Sequence, residues 1–185
     1  MARKIRDLVS GFQNTLQQFP EVKYAGDPIL RTPTEEVSIE EGIELGKRLG
    51  DTLMRYRKTV GCGRGFAAPQ IGETKSVFVT FVDDELKTFI NPKIIERSQE
   101  TNYFKELCLS SGIMSADVER SEWIVMEWFD VNGAKHTEKF NGFLARLYQH
   151  EEAHLRGIIN LDEASDGGIE FALFDPLQEK LRTTR

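Results

Sequence analysis

Apolar residues recur at helical spacing in the first twenty residues of the chain. This spacing predicts a short amphipathic helix over residues 1–20, docked on the rest of the protein or on a partner. Its apolar face consists of Ile5, Leu8, Val9, Phe12, Leu16 and Phe19. An organellar transit peptide is the second interpretation, but Asp7 and the scarcity of arginine on the polar face argue against it.

A second amphipathic helix is predicted from Ser38 to about residue 58. Ser38 can cap this helix, and Glu41 three positions later completes the reciprocal side-chain-to-backbone bonds of a capping box. The residues expected on or near one buried face are Ile39, Ile43, Leu49, Leu53 and Met54.

Two β-hairpins are predicted after the second helix. Residues 77–82 and 89–95 are rich in β-branched and aromatic residues, and the polar Asp83-Asp84-Glu85 separates them. Residues 123–131 and 134–140 flank Asn132-Gly133, a pair that suits the positive φ angles of a type I′ turn. Helices and hairpins in one chain indicate an α+β fold.

A third helix is predicted between Asn141, which would cap it, and Gly157, which would end it. The residues expected on its buried side are Phe143, Leu144, Leu147, Leu155 and Ile158. No repeat, low-complexity segment or second-domain linker interrupts this series of elements.

The third helix contains the pattern His-Glu-x-x-His. His150 and His154 are four residues apart, so both lie on one face of the helix and can bind one metal ion. Glu151 would sit beside that ion, where a carboxylate can accept a proton from water that the metal activates. The pattern therefore makes metal-dependent hydrolysis the first hypothesis, while five ordinary helix residues are the alternative interpretation of the pattern taken alone.

Two histidines leave a catalytic metal site incomplete, because such sites usually have three protein ligands. The remaining candidates are His136, Cys62 and Cys108. Cys108 lies between strand-like stretches, where a thiolate on a turn could face the helix, although a small buried side chain is the commoner role of a free cysteine. Cys62 lies in a glycine-rich run that lacks the Lys-Ser/Thr ending of a phosphate-binding loop, which excludes nucleotide binding there.

Three segments, in order along the chain, resemble the signature motifs of the peptide deformylase family, which read G-x-G-x-A-A-P-Q, E-G-C-L-S and Q-H-E-x-D-H. The segments are Gly63-Arg64-Gly65-Phe66-Ala67-Ala68-Pro69-Gln70, Glu106-Leu107-Cys108-Leu109-Ser110 and Gln149-His150-Glu151-Glu152-Ala153-His154. The resemblance extends from about Tyr24 to Leu161. We therefore interpret residues 1–20 as an extension and residues 21–185 as a single metallohydrolase domain.

The resemblance implies a fold and a metal site. Antiparallel or mixed sheets would pack around the central helix that carries the two histidines. Cys108, His150 and His154 would bind one divalent metal, with ferrous iron expected and zinc or nickel as substitutes. This ligand set suits several divalent ions and does not choose among them.

The resemblance also implies how the site would act on an N-formyl peptide. Glu151 would be the general base, while the side-chain amide of Gln70 and the backbone N–H of Leu109 would donate to the oxyanion. The substrate-binding residues would be Gly63, Arg64, Gly65, Leu107, Phe143, Arg146 and Leu147.

Departures from the family pattern affect the expected substrate. Leu107 replaces a glycine beside which the substrate backbone passes in the family, so its side chain would either narrow the groove or change the backbone angle. Arg64 and Arg146 add positive charge near a pocket that is apolar in the family, so each should face water, pair with a carboxylate or meet an anionic ligand. These residues predict a preference for a smaller or acidic first residue over methionine.

Other departures concern the support of the metal site. Ala153 replaces an aspartate that makes polar contacts behind the ligands, and its loss is expected to lower activity. Ser111-Gly112 replaces the usual apolar-Pro pair. Glu106 and Arg120 are retained where the family has an ion pair, so the surroundings of Cys108 are expected to be intact.

Composition and charge limit the cellular compartment and the binding partners that we expect for this protein. The chain has 185 residues, 24 Lys and Arg, 30 Asp and Glu, and a net charge of −6, so no general basic surface for nucleic acid is expected. No apolar run approaches the length of a membrane span, and no secretory signal begins the chain. Two cysteines in separate motifs fit a reducing compartment. We expect a cytoplasmic protein with a peptide substrate, and leave the ribosome open as a partner.

Three functions remain open from the sequence. The first is removal of the formyl group from N-formylmethionyl peptides of nascent chains, which the complete set of ligands, base and oxyanion donors favours. The second is a diverged metallo-amidase of the same fold that acts on another N-formyl or N-acyl substrate. The third is a metal-stabilised binding protein without catalysis, although an intact Glu151 argues against it because a structural metal site needs no base.

Overall fold

The computed structural model describes residues 5–171, without the side chains of residues 5, 6 and 8. Part of the predicted extension and the C-terminal residues 172–185 of the predicted domain thus lie outside the described residues. The helices are α1 (Ile5–Gln18), α2 (Ile39–Val60) and α3 (Gly142–Leu155). The strands are β1 (Gly65–Ala67), β2 (Val77–Val82), β3 (Glu85–Arg97), β4 (Thr101–Leu107), β5 (Met114–Ser121), β6 (Trp123–Phe129), β7 (Lys135–Asn141) and β8 (Ala164–Phe171).

The strands form two antiparallel sheets. A five-stranded sheet has the order β1-β2-β3-β6-β7, and a three-stranded sheet has the order β4-β5-β8. Helix α3 contacts strands of both sheets, while α2 packs on β1, β2 and β3. The predicted α+β fold, with antiparallel sheets around a central helix, is confirmed.

Helix α2 begins where the sequence predicts, and its buried face includes Leu49 and Leu53 as predicted. Ser38 and Glu41 form the predicted capping box. Ile43 and Met54, expected on the buried face, are exposed instead. The buried face combines leucines with three glycines four residues apart, which lie against the side chains of β3. The glycines are Gly42, Gly46 and Gly50.

Both predicted hairpins are present, but the second has a different turn. Strands β2 and β3 pair from Val77 with Ile90 to Val82 with Glu85, and β6 pairs with β7. Of Asn132 and Gly133, only Gly133 has a positive φ, so the turn is not of type I′. The Asp130 carboxylate accepts hydrogen bonds from the N–H groups of Asn132 and Ala134, and this bonding favours a longer loop that ends in a left-handed glycine.

Helix α3 is buried on nearly all sides over its second half. Asn141 occupies the capping position without a side-chain capping bond, and Gly157 follows the helix with a φ of 79°. Phe143, expected on the buried side, is 40% exposed. Residues 147–155 are all buried, including the polar ones. An apolar pattern on one face therefore does not identify the buried residues of this helix.

Helix α1 docks on the domain through its C-terminal half. Phe19, just after the helix, is buried in a core cluster with Leu49, Leu53 and Tyr56. Phe12 is half-buried, whereas Val9 and Leu16 of the predicted apolar face are exposed. The side chains of Ile5 and Leu8, which complete that face, lie outside the described residues.

Candidate metal centre

Cys108, His150 and His154 come together in the interior. Cys108 follows β4 and precedes a 3-10 turn at Leu109–Ser111, while both histidines lie on α3. Their ligand atoms all lie within 4.8 Å of one another, and Cys108 Sγ is 3.2 Å from His154 Nε2. Among residues 5–171 this is the one cluster of metal-ligating side chains with that geometry. His136, the other histidine, pairs with Asp130 at 2.9 Å on β7.

The donor set fits a divalent metal ion. Ligand atoms around a tetrahedral ion lie roughly 3.5 Å apart when the bonds are about 2.0–2.3 Å, which is close to the sulfur–nitrogen distance here. Burial opposes ionisation of the Cys108 thiol, but nearby His154 and His150 hold its pKa well below the ordinary value. A thiolate and two imidazoles therefore face a common point, where the negative sulfur and the two nitrogen lone pairs favour a cation.

Glu106 orients His150 from behind. The His150 Nδ1 atom lies 2.8 Å from Glu106 Oε2, which leaves Nε2 to face the cluster. Burial would raise the pKa of Glu106, but the bonds from His150 and Arg120 lower it overall. Arg120 donates to both carboxylate oxygens of Glu106 at 3.0 Å, so the ion pair expected from the sequence is present.

Arg146, which was predicted to line the substrate groove, forms an ion pair with Glu106. Its guanidinium donates to Glu106 at 2.7 Å, to the Val118 carbonyl at 3.1 Å and to Asn102 on β4. These bonds fix the side chain against the three-stranded sheet. Arg146 thus balances the charge of Glu106. Pairing with a carboxylate was one of the three environments expected for this arginine, beside water and an anionic ligand.

Glu151 is buried next to the three ligands. Burial raises the pKa of Glu151 to about 7, and its Oε2 atom has no hydrogen-bond partner among the described residues. Gly65 of the first motif lies against this carboxylate so closely that any Cβ at residue 65 would overlap it. The glycine assigned to the substrate groove therefore makes room for the predicted base.

The two predicted oxyanion donors lie on neighbouring turns. The Gln70 Oε1 atom accepts a hydrogen bond of 2.8 Å from Ala67 N, which fixes the direction of the amide. The Gln70 Nε2 atom donates to Ser110 Oγ at 3.1 Å and lies 3.6 Å from Cys108 Sγ. Leu109 follows Cys108 directly, and its side chain packs against the core cluster that contains Phe19.

The remaining groove residues are distributed around the centre. The Arg64 guanidinium lies over the exposed ring of Phe143, 5.0 Å from its centroid. Leu107 is half-buried at the end of β4, and Gly63 has a φ of 113° that favours glycine. Leu147 is buried in the core cluster between α3 and the five-stranded sheet, where it offers little surface to a ligand.

The two histidines of the cluster have different surroundings. Ala153, which lies beside them in the sequence, stands where the family motif has an aspartate. Ala153 is buried, and His154 Nδ1 has no hydrogen-bond partner among residues 5–171. His150, in contrast, is oriented by Glu106. His154 is therefore held by packing and by its contact with Cys108 alone within the described part of the chain.

Asn160 and Ser110 also support the site, and only Ser110 lies in one of the three sequence motifs. Asn160 donates to the Glu106 carbonyl at 3.2 Å and hydrogen-bonds Ser111, and thereby joins the segment after α3 to the cysteine turn. The Ser110 hydroxyl accepts a hydrogen bond from the side-chain amide of Gln70. Ser110 ends the second motif, so the motif gave its position, but the contact depends on how two distant turns meet.

A family model described as polypeptide deformylase matches residues 20–168. The chain belongs to the peptide deformylase family. It is 37% identical over 153 residues to a peptide deformylase of Treponema pallidum, an alignment that covers 83% of this chain and 93% of that protein. A peptide deformylase of Dictyoglomus thermophilum is 38% identical over 146 residues, with coverage of 78% and 92%.

Solved structures of the family share the fold. The peptide deformylase of Synechococcus elongatus in complex with actinonin has a TM-score of 0.70 and 32% identity, and the alignment covers 78% of each chain. The enzyme of Plasmodium falciparum has a TM-score of 0.71 and 28% identity, with coverage of 88% of this chain and 91% of that one. Members of the family are metal-dependent hydrolases that remove N-formyl groups from nascent peptides.

The helices of residues 5–171 include none that is both long and apolar enough to span a membrane.

Proposed function

We propose that this protein hydrolyses the formyl amide of N-formylmethionyl peptides, with one divalent metal bound by Cys108, His150 and His154. The observation that carries the proposal is the position of a buried carboxylate, Glu151, beside three buried ligand side chains of the right chemistry. Membership of the deformylase family agrees with it.

A divalent metal in such a site supplies a Lewis acid and lowers the pKa of water that it binds. Glu151 accepts the proton of the attacking water, and its pKa of about 7 suits a group that must later return a proton. The departing amine then receives that proton. Gly65 allows the Glu151 carboxylate to come close, because a side chain at this position would occupy the same space.

The transition state carries negative charge on the former formyl oxygen. The Gln70 amide and the Leu109 N–H are the proposed donors to this oxygen, and fixed donors of this kind are worth about 3–4 kcal/mol each. Gln70 is preorganised, because Ala67 holds one end of its amide and Ser110 the other. Donors that do not need to reorient stabilise the transition state more than the substrate.

We infer ferrous iron as the native metal, with zinc or nickel able to replace it, and a cytoplasmic location with nascent chains at the ribosome as the source of substrate. A buried thiolate ligand suits a reducing compartment. The domain proposed for this activity comprises residues 21–185, with residues 1–20 as its extension.

The test is turnover of formyl-Met-Ala-Ser by protein purified without oxygen, with metal content measured in parallel. Glu151→Gln should keep one metal per chain and lose at least about 100-fold in kcat, because it preserves shape and removes the proton acceptor. His154→Ala should lose stoichiometric metal. Full turnover by Glu151→Gln, or full metal retention by His154→Ala, would remove that residue from its proposed role.

A second candidate is an amidase of the same fold that prefers formyl peptides with a smaller or acidic first residue. Leu107 at the end of β4 and the arginine at position 64 favour it. Arg146 no longer supports this candidate, since its guanidinium is engaged by Glu106 and Asn102. The two candidates differ in the first residue of the best substrate, so a panel of formyl peptides separates them.

A further inference from the structure

The N-terminal helix reaches the turn that carries the metal-ligand cysteine. The ring of Phe12 on α1 lies directly on Gly112, where an added Cβ would be 2.6 Å from Phe12 Cζ and 2.9 Å from Cε2. Gly112 also has a φ of 62° and a ψ of −110°, which L side chains rarely adopt. Contact and backbone shape thus both require glycine at this position.

The segment after α1 returns to the same turn and to its neighbour. Ala25 N donates to Ser110 O at 2.8 Å, and Lys23 N donates to Gln70 O at 2.8 Å. Phe12 packs edge-on against Tyr24, with ring centroids 5.2 Å apart and an interplanar angle of 84°. Residues 12–25 therefore hold both turns that carry the proposed oxyanion donors.

Gly112 ends the 3-10 turn that begins after Cys108. Its N–H donates to Leu109 O at 3.1 Å, and Ser111 N donates to Cys108 O at 3.1 Å. A shift of Gly112 would rotate this short turn, and with it the Leu109 N–H and the Ser110 hydroxyl that holds Gln70. Misplacement of a catalytic group by about 1 Å can cost on the order of 100-fold in rate.

Two departures of this chain from the family pattern meet at this contact. Helix α1 lies outside the family match, which begins at residue 20. Gly112 stands where the family motif has proline, and a Cβ there would overlap the Phe12 ring in its present position. The added helix and the glycine thus form one structural unit.

We propose that α1 is a positioning element of the hydrolytic site. Phe12, packed on Gly112, holds the turn Leu109–Ser111 in the orientation in which Leu109 and the Ser110-bound Gln70 serve the oxyanion. The proposal rests on the proposed function.

The kinetic test compares Phe12→Ala with Leu16→Ala, a control one turn further along the same helix at an exposed position. We expect kcat for formyl-Met-Ala-Ser to fall about 10-fold in Phe12→Ala, with KM and metal content within about 2-fold, since the donors act mainly in the transition state. Phe12→Leu, which keeps an apolar contact, should recover most of the rate. Equal kcat in the wild type and Phe12→Ala, or an equal loss in Leu16→Ala, would overturn the proposal.

A second measurement does not depend on activity. Backbone hydrogen exchange in the peptide covering residues 107–113 should accelerate in Phe12→Ala but not in Leu16→Ala, because only the former loosens the turn. Unchanged exchange there in Phe12→Ala would overturn the proposal even if kcat fell. A wild-type protein without turnover would refute the proposed function, while exchange would still decide whether Phe12 orders the turn.

Discussion

At the scale of single residues, two arginines that look equivalent in the sequence have different surroundings. Arg146 is held by Glu106, the Val118 carbonyl and Asn102. The Arg64 guanidinium lies over the exposed Phe143 ring, 5.0 Å from its centroid. Arg146 is therefore committed to Glu106 and Asn102, and the predicted preference for acidic peptides is tested at Arg64.

Replacement of Arg64 by Leu tests this preference. If Arg64 contacts a substrate carboxylate, turnover of formyl-Met relative to formyl-Asp peptides should rise about 10-fold or more, since such a contact is worth about 1.5–3 kcal/mol. The measurement is kcat/KM for both peptides in the wild type, in Arg64→Leu and in Arg48→Leu, whose arginine pairs with Glu73 on the surface. An unmoved ratio in a wild type that already prefers formyl-Met would leave ordinary deformylation of formyl-Met as the function.

At the scale of elements, the glycines of α2 determine how closely the helix approaches the sheet. Gly42, Gly46 and Gly50 lie against Ile90, Thr88 and Leu86 of β3 respectively. A helix surface without side chains can pack close to aliphatic and threonine side chains that protrude from a strand. Helix α2 also packs on β1, and Gly65 at the start of β1 lies against the Glu151 carboxylate.

Substitution of Gly46 by Ala sets helix propensity against packing. Alanine is favoured over glycine inside a helix by about 1 kcal/mol, but its Cβ would overlap Thr88, and overpacking costs about 1–3 kcal/mol. We expect a net loss in the free energy of unfolding, measured with urea, and partial recovery in Gly46→Ala/Thr88→Ala. Gly11→Ala in α1, where a Cβ meets nothing within 4 Å, is the control and should not destabilise. Stabilisation by Gly46→Ala would mean that the helix can shift without cost.

The same glycines show why sequence predicted elements better than their packing. The capping box, the two hairpins and the metal-ligand spacing depend on local chemistry, and all were predictable. The predicted buried face of α2 was right at Leu49 and Leu53 but wrong at Ile43 and Met54, because an apolar pattern cannot show that glycines form part of the packed face. The contact of Phe12 with Gly112 was not predictable, because it joins segments 100 residues apart whose meeting depends on the whole fold.

At the scale of the whole molecule, the proposed metal ligands come from two different parts of the fold. Cys108 follows a strand of the three-stranded sheet, and the histidines lie on α3, which packs on both sheets. Glu106, Arg120 and Arg146 form a buried ionic network around the same helix. A cation bound by Cys108, His150 and His154 would compensate the thiolate charge and tie the turn after β4 to α3.

Removal of the metal should therefore lower the stability of the entire chain. An ion present at about 1,000 times its Kd contributes about 4 kcal/mol, which corresponds to a fall in Tm of about 10 °C for a domain of this size. The experiment measures Tm before and after chelation, and again after addition of nickel or zinc, with metal content determined at each step. His154→Ala is the control, and its Tm should not respond to chelator. A wild-type Tm that stays constant while the bound metal falls to zero would show that the two sheets are joined by packing alone.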